Sequence, residues 1–115
     1  MTTVQIQKKE GNIIGFVVFG HSGYAEEGSD IVCSAISSLA QMACVGLENV
    51  LKVNPTIKIN EKKAFLSCFV SEEMAINNTN VQTLFNTFEK SVELLLVGNK
   101  KLKKYIKLEV KNEVY

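Results

Sequence analysis

The chain has 115 residues, 46% of them hydrophobic and 22% charged, with thirteen basic side chains against twelve acidic ones and a net charge of +1. That length supports one two-layer core, read here as a single domain over residues 1–115, and is too short for two. The near-neutral balance sets up no global field for nucleic acid or a membrane, and three cysteines without a CxxC spacing argue against a disulfide framework or a zinc site.

The opening MTTVQIQKKEG carries no charged segment followed by an apolar one, so no secretory leader is expected. The runs IIGFVVFG and LLLVG fall short of the roughly 20 apolar residues of a membrane helix. A reduced, cytoplasmic setting is the expectation.

Residues 2–8 alternate, with Val4 and Ile6 on one face, as a half-buried strand should. Glu10, Gly11 and Asn12 make a turn, and 13–20 reads as a strand covered on both faces, pairing back as a hairpin. Gly20, Gly23 and Gly28 then bracket a polar loop, HSGYAEEGS.

From Asp30 the period becomes helical. Val32, Ile36, Leu39, Ala43, Leu47 and Val50 recur at threes and fours as far as Leu51, where VNP stops the helix. Ser29 and Asp30 are both N-cap types. Segments 56–60 and 64–70 form a second hairpin around residues 61–63. After a polar stretch at 71–80, Val81, Leu84, Phe85, Phe88, Val92, Leu95 and Leu96 form a helical stripe, with Gly98 as its C′ stop. A last strand covers 105–110. The order is ββαββαβ: an α+β two-layer sandwich, a mostly antiparallel sheet packed with two helices.

The first helix places Cys33 in its first turn, and the strand before it delivers His21, the only histidine. Open N–H groups and the helix dipole at such a position favour a thiolate, and could serve as an oxyanion hole. A neighbouring imidazole can take the thiol proton, giving a nucleophilic pair. The inert alternative is a buried thiol beside a turn residue, since free cysteine usually packs as a small hydrophobe.

Asp30 either caps the helix or orients His21. Ser37, one turn after Cys33, either bonds to the site or back to a helix carbonyl. Gly23 and Gly28 flank YAEE, as hinges of a loop admitting an extended peptide or as ordinary turn glycines. Cys44 and Cys68 read as structural. Cys44 is about 16 Å along the axis from Cys33, too far for a disulfide. The lysines at 100, 101, 103, 104, 107 and 111 form the one basic cluster, either a solvated face or an RNA or ribosome contact. Interleaved aromatics beyond Tyr105 are missing, so direct nucleic-acid binding is not expected.

The stretch GHSGYAEEGSDIVCSAIS closely resembles the signature of the ribosomal-processing cysteine protease (Prp) family, a Gly-His pair followed by Gly-x-Asp-Ile-Val-Cys-small-small-aliphatic-Ser. Gly20, His21, Gly28, Asp30, Ile31, Val32, Cys33 and Ser37 fall in register. Ser34 stands where alanine is common. The resemblance implies a cytoplasmic bacterial endopeptidase, usually dimeric, needing no metal or organic cofactor. It implies removal of a short N-terminal extension from a large-subunit ribosomal protein, cut after aromatic residues, with Cys33 as nucleophile and His21 as its base. Two rivals make different predictions. A non-enzymatic RNA- or ribosome-associated module would use the lysines, and a redox-sensing thiol protein would use Cys33 without hydrolysis.

Overall fold

The computed structural model describes residues 1–20, 27–98, 100, 101 and 103–113, with backbone only at 27–30 and 113. Five strands, β1 (Thr2–Lys9), β2 (Asn12–Phe19), β3 (Thr56–Asn60), β4 (Phe65–Phe69) and β5 (Ile106–Glu113), form one sheet in the order β3-β4-β2-β1-β5. The β1–β2, β2–β4 and β3–β4 pairings are antiparallel, and β5 lies parallel to β1. The expected α+β order ββαββαβ is therefore the observed one.

Local chemistry sets each hairpin. Glu10 and Gly11 are the two loop residues of the β1–β2 turn, and both have positive φ (50° and 83°). That twist matches the right-handed twist of the flanking strands. Between β3 and β4, the Asn60 side chain accepts the Lys63 N–H (3.2 Å), and Ala64 turns the chain at φ 48°.

The first long helix, α1 (Glu27–Val45), runs into a π-helical turn at Gly46–Val50, where Leu51 N–H donates to the Gly46 carbonyl (2.8 Å). Its start lies earlier than Ser29 or Asp30, so both residues are inside the helix and neither is the N-cap. By length and composition the stretch Ile31–Val50 could cross a membrane, contrary to the reading from unbroken apolar runs. Its inward residues Val32, Ile36, Ala40, Ala43 and Leu47 are instead buried against the sheet and the other long helix. That is the pattern of a core helix.

The polar stretch 71–80 holds a short helix that hydrophobic period does not reveal, α2 (Glu72–Asn77), followed by α3 (Thr79–Gly98). Ser71 Oγ accepts the Met74 N–H (3.1 Å), with Glu72 and Glu73 in the first turn. Asn78 ends α2 and its Oδ1 accepts the N–H groups of Asn80 and Val81 (3.0 and 3.1 Å) at the start of α3. Gly98 is itself helical rather than a residue beyond the end.

One apolar cluster joins the layers. Phe16 of β2 stacks on Phe88 of α3 (centroids 4.3 Å apart) and meets Phe85 edge-on (6.2 Å). All three are fully buried, which stabilises the fold by about 1.5–3 kcal/mol each. The opposite face of β2 is less covered than expected: Val17 and Phe19 are half-buried.

Candidate active site

Cys33 projects from α1 beside the first strand. Its Sγ is 3.2 Å from Thr2 Oγ1. Thr2 belongs to the inward row of β1, with Val4 and Ile6, and is 4% exposed. Strand alternation thus places a hydroxyl where the row would otherwise carry an apolar side chain, directly under the half-buried thiol.

A groove of about 300 Å³ opens beside this pair. Cys33, Ser37, Ala40 and Gln41 of α1 form one wall, and Ile59, Phe65 and Leu66 of the β3–β4 hairpin form the other. Ser37 is exposed and lines the groove one turn beyond Cys33. Asn60 and Glu61 add polar groups at the hairpin turn. The apolar walls suit an extended segment with a large side chain.

Gly20 closes β2 at the groove edge. Its φ is +86°, and a Cβ there would lie 2.7 Å from the Met1 carbonyl oxygen. Only glycine fits both demands, so this residue turns the chain out of the sheet just ahead of His21.

Two expectations about the helix start change. Cys33 falls beyond the first turn of α1, because the helix already includes Glu27. The open N–H groups and the strongest dipole field belong to the helix end before it. Residues 27–29, including Gly28, are helical and not part of a loop. His21 and Gly23 lie outside the described residues, as does the side chain of Asp30, whose backbone is within α1.

Thr2 was not singled out by sequence. Its alternation with Val4 and Ile6 marks it as inward-facing, but nothing local says that the inward row passes under α1 at Cys33.

Cys44 and Cys68 are free thiols. Their mutual interaction raises the Cys68 pKa and lowers that of Cys44. Among the described residues no group of three or more His, Cys, Asp or Glu side chains could hold a metal ion. The lysines at 100, 101, 103 and 104 are exposed before β5. Part of the charge is engaged: Lys104 sits over the Tyr105 ring (5.0 Å), and Lys107 pairs with Glu109 (2.8 Å).

A thiol set in a peptide-sized apolar groove, with a hydroxyl beside it, defines the candidate site of a thiol-dependent hydrolase. The chain belongs to the cysteine protease Prp family, whose model matches residues 1–107. The fold is similar to that of SMU.848 from Streptococcus mutans (21% identity, TM-score 0.83, 98% of this chain and 96% of that one). It is also similar to the essential ribosomal processing protease Prp from S. aureus in complex with a substrate peptide (20% identity, TM-score 0.83, 96% and 100%). The same S. aureus protease with a covalently linked product peptide gives 21% identity and a TM-score of 0.80, over 96% and 100%. None of the curated proteins matches the sequence.

Proposed function

We propose that this chain is a cysteine endopeptidase that removes the N-terminal extension of a large-subunit ribosomal protein, cutting after an aromatic residue. Cys33 is the nucleophile and His21 its base. The observation that carries the reading is the placement of the Cys33 thiol on a groove walled by Ala40, Ile59, Phe65 and Leu66, in a member of a cysteine protease family. The S. aureus relative has been captured with a substrate peptide and with a covalently linked product peptide.

In this mechanism His21 takes the Cys33 proton and the thiolate adds to the scissile carbonyl carbon. The tetrahedral adduct collapses as His21 returns the proton to the leaving amine, leaving a thioester. Water, deprotonated by His21, then adds to the thioester carbonyl, and the carboxylate product leaves as the thiol reforms. No metal or organic cofactor enters. Ser37, on the groove one turn from Cys33, and Asp30 support the geometry. Gly23 and Gly28 serve substrate entry, Gly28 from within α1. The setting is the bacterial cytoplasm, and the active form is a homodimer. Exposed Ile31, Met42 and Val45 share one face of α1 and offer an apolar dimer surface.

The test mixes the protein with the full-length precursor and with a peptide spanning the extension, and follows product masses. A single cut after the aromatic residue, absent with Cys33→Ala and with His21→Ala, is the expected result. An uncut precursor would overturn the reading. RNA binding that is salt-sensitive and survives Cys33→Ala would then favour the lysine-rich surface.

A further inference from the structure

We propose that Thr2 is a positioning residue for the Cys33 nucleophile, its hydroxyl donating to the thiolate and fixing the direction of attack. The inference rests on the reading of Cys33 as nucleophile and adds a group that the signature around His21 and Cys33 does not contain.

Three observations carry it. The Thr2 hydroxyl is 3.2 Å from Cys33 Sγ, within hydrogen-bond range for sulfur. Thr2 is 4% exposed and continues the inward row of Val4 and Ile6. Water therefore has little access to its hydroxyl, which has the sulfur as its hydrogen-bond partner. Thr2 also lines the groove together with Cys33 and Gly20, so the contact belongs to the face that substrate would meet.

The chemistry has a direction. With a neutral thiol, either partner can be the donor. A thiolate has no hydrogen to give, so on ionisation only the Thr2 O–H can donate. A hydrogen bond to a charged acceptor is stronger than the neutral one it replaces, so the contact favours the ionised nucleophile. The placement of Cys33 beyond the first turn of α1 gives this donor its importance, since the open N–H groups of the helix end lie before it. Thr2 is buried in the sheet, with the buried Ile106 of β5 as its register partner. The hydroxyl is thereby fixed, as a positioning group must be.

The experiment measures the rate at which iodoacetamide alkylates Cys33 between pH 5 and pH 10, by digestion and mass analysis, in the wild type, Thr2→Val, Thr2→Ser and Thr2→Ala. Thr2→Val keeps the shape and removes the donor. Thr2→Ser and Thr2→Ala lose the same methyl and differ in the hydroxyl alone, so the comparison survives even if the valine variant does not fold. The expected result is alkylation at pH 7 about tenfold slower in Thr2→Val and Thr2→Ala, with the pH profile moved upward and Thr2→Ser within about twofold of wild type. A loss of packing alone would affect serine and alanine alike and leave the profile in place. Equal rates and profiles for Thr2→Ser and Thr2→Ala would overturn the proposal. This readout is independent of hydrolysis: retained cleavage by Cys33→Ala would sink the nucleophile reading, whereas alkylation of the intact thiol judges Thr2 alone.

Discussion

Cys68 of β4 and Cys44 of α1 are interacting free thiols that link the sheet to the helix. Cys68 is fully buried in the core row of the sheet, opposite Phe16 and Ile57. The interaction with Cys44 and burial both raise the Cys68 pKa, while Cys44 becomes the more acidic thiol. The expected labelling order in the native protein is Cys44 before Cys68, with Cys68 protected until the protein unfolds. Alkylation followed by peptide mapping checks this. Labelling of Cys68 at the rate of Cys44 would contradict the assignment.

The Gln82 side chain of α3 closes a gap in the sheet. Its Oε1 accepts the Ile13 N–H (2.9 Å), and its Nε2 donates to the carbonyls of Ile13 (2.7 Å) and Ala75 (3.1 Å). This clamp falls where the β1–β2 register shifts between Gln7 and Lys8, so it supplies partners to the backbone of an irregular pairing. Gln82→Leu leaves those groups without partners and should cost about 1–3 kcal/mol in a urea unfolding curve. A change below about 0.5 kcal/mol, the usual range for a surface substitution, would show the clamp to be dispensable.

Gly20 couples stability to the site. Gly20→Ala puts a Cβ on a residue at φ +86° and drives it toward the Met1 carbonyl oxygen. The left-handed backbone alone costs roughly 1–2 kcal/mol for an L-residue, and relief of the contact moves the β2 end that precedes His21. Thermal melting and precursor cleavage measured side by side should show a lower Tm and a cleavage rate reduced even well below that Tm.

Glu109 ties β5 to β1. It accepts from Lys107 (2.8 Å) and from Gln5 Nε2 (2.9 Å), and these bonds, the Lys107 bond foremost, hold its pKa below the ordinary carboxylate value. A lowered folded pKa contributes stability above the unfolded value near 4.5 and loses it as pH falls through the folded one. The pair lies at the surface, with Glu109 partly and Lys107 well exposed, so the effect is small and salt-sensitive. Melting curves at low ionic strength between pH 6 and pH 2.5 should show less acid destabilisation in Glu109→Gln than in the wild type.

The fold was legible wherever burial imposes a period. The β1–β2 and β3–β4 hairpins and the stripes of α1 and α3 could be read from Val4, Ile6, Val32, Ile36, Phe85 and Phe88 because one face of each element is buried. The short helix α2 buries only Ala75 and is held by the Ser71 cap, too little apolar repeat to register. The start of α1 is hidden because Ser29 and Asp30 have capping chemistry but lie within the helix. At the site, sequence placed Cys33, Ser37 and Gly20 along one short segment, and the groove brings those three together. It could not place Thr2 or the Phe65 wall, which reach Cys33 only through the strand order β3-β4-β2-β1.

The central claim is that Cys33 is the nucleophile facing a peptide groove. A peptide chloromethyl ketone ending in phenylalanine, matched to the extension sequence, tests it most directly. Intact-mass and peptide analysis should find one equivalent attached at Cys33, with Cys44 and Cys68 unmodified and precursor cleavage lost in proportion. Attachment elsewhere, or full cleavage by a protein fully modified at Cys33, would contradict the account.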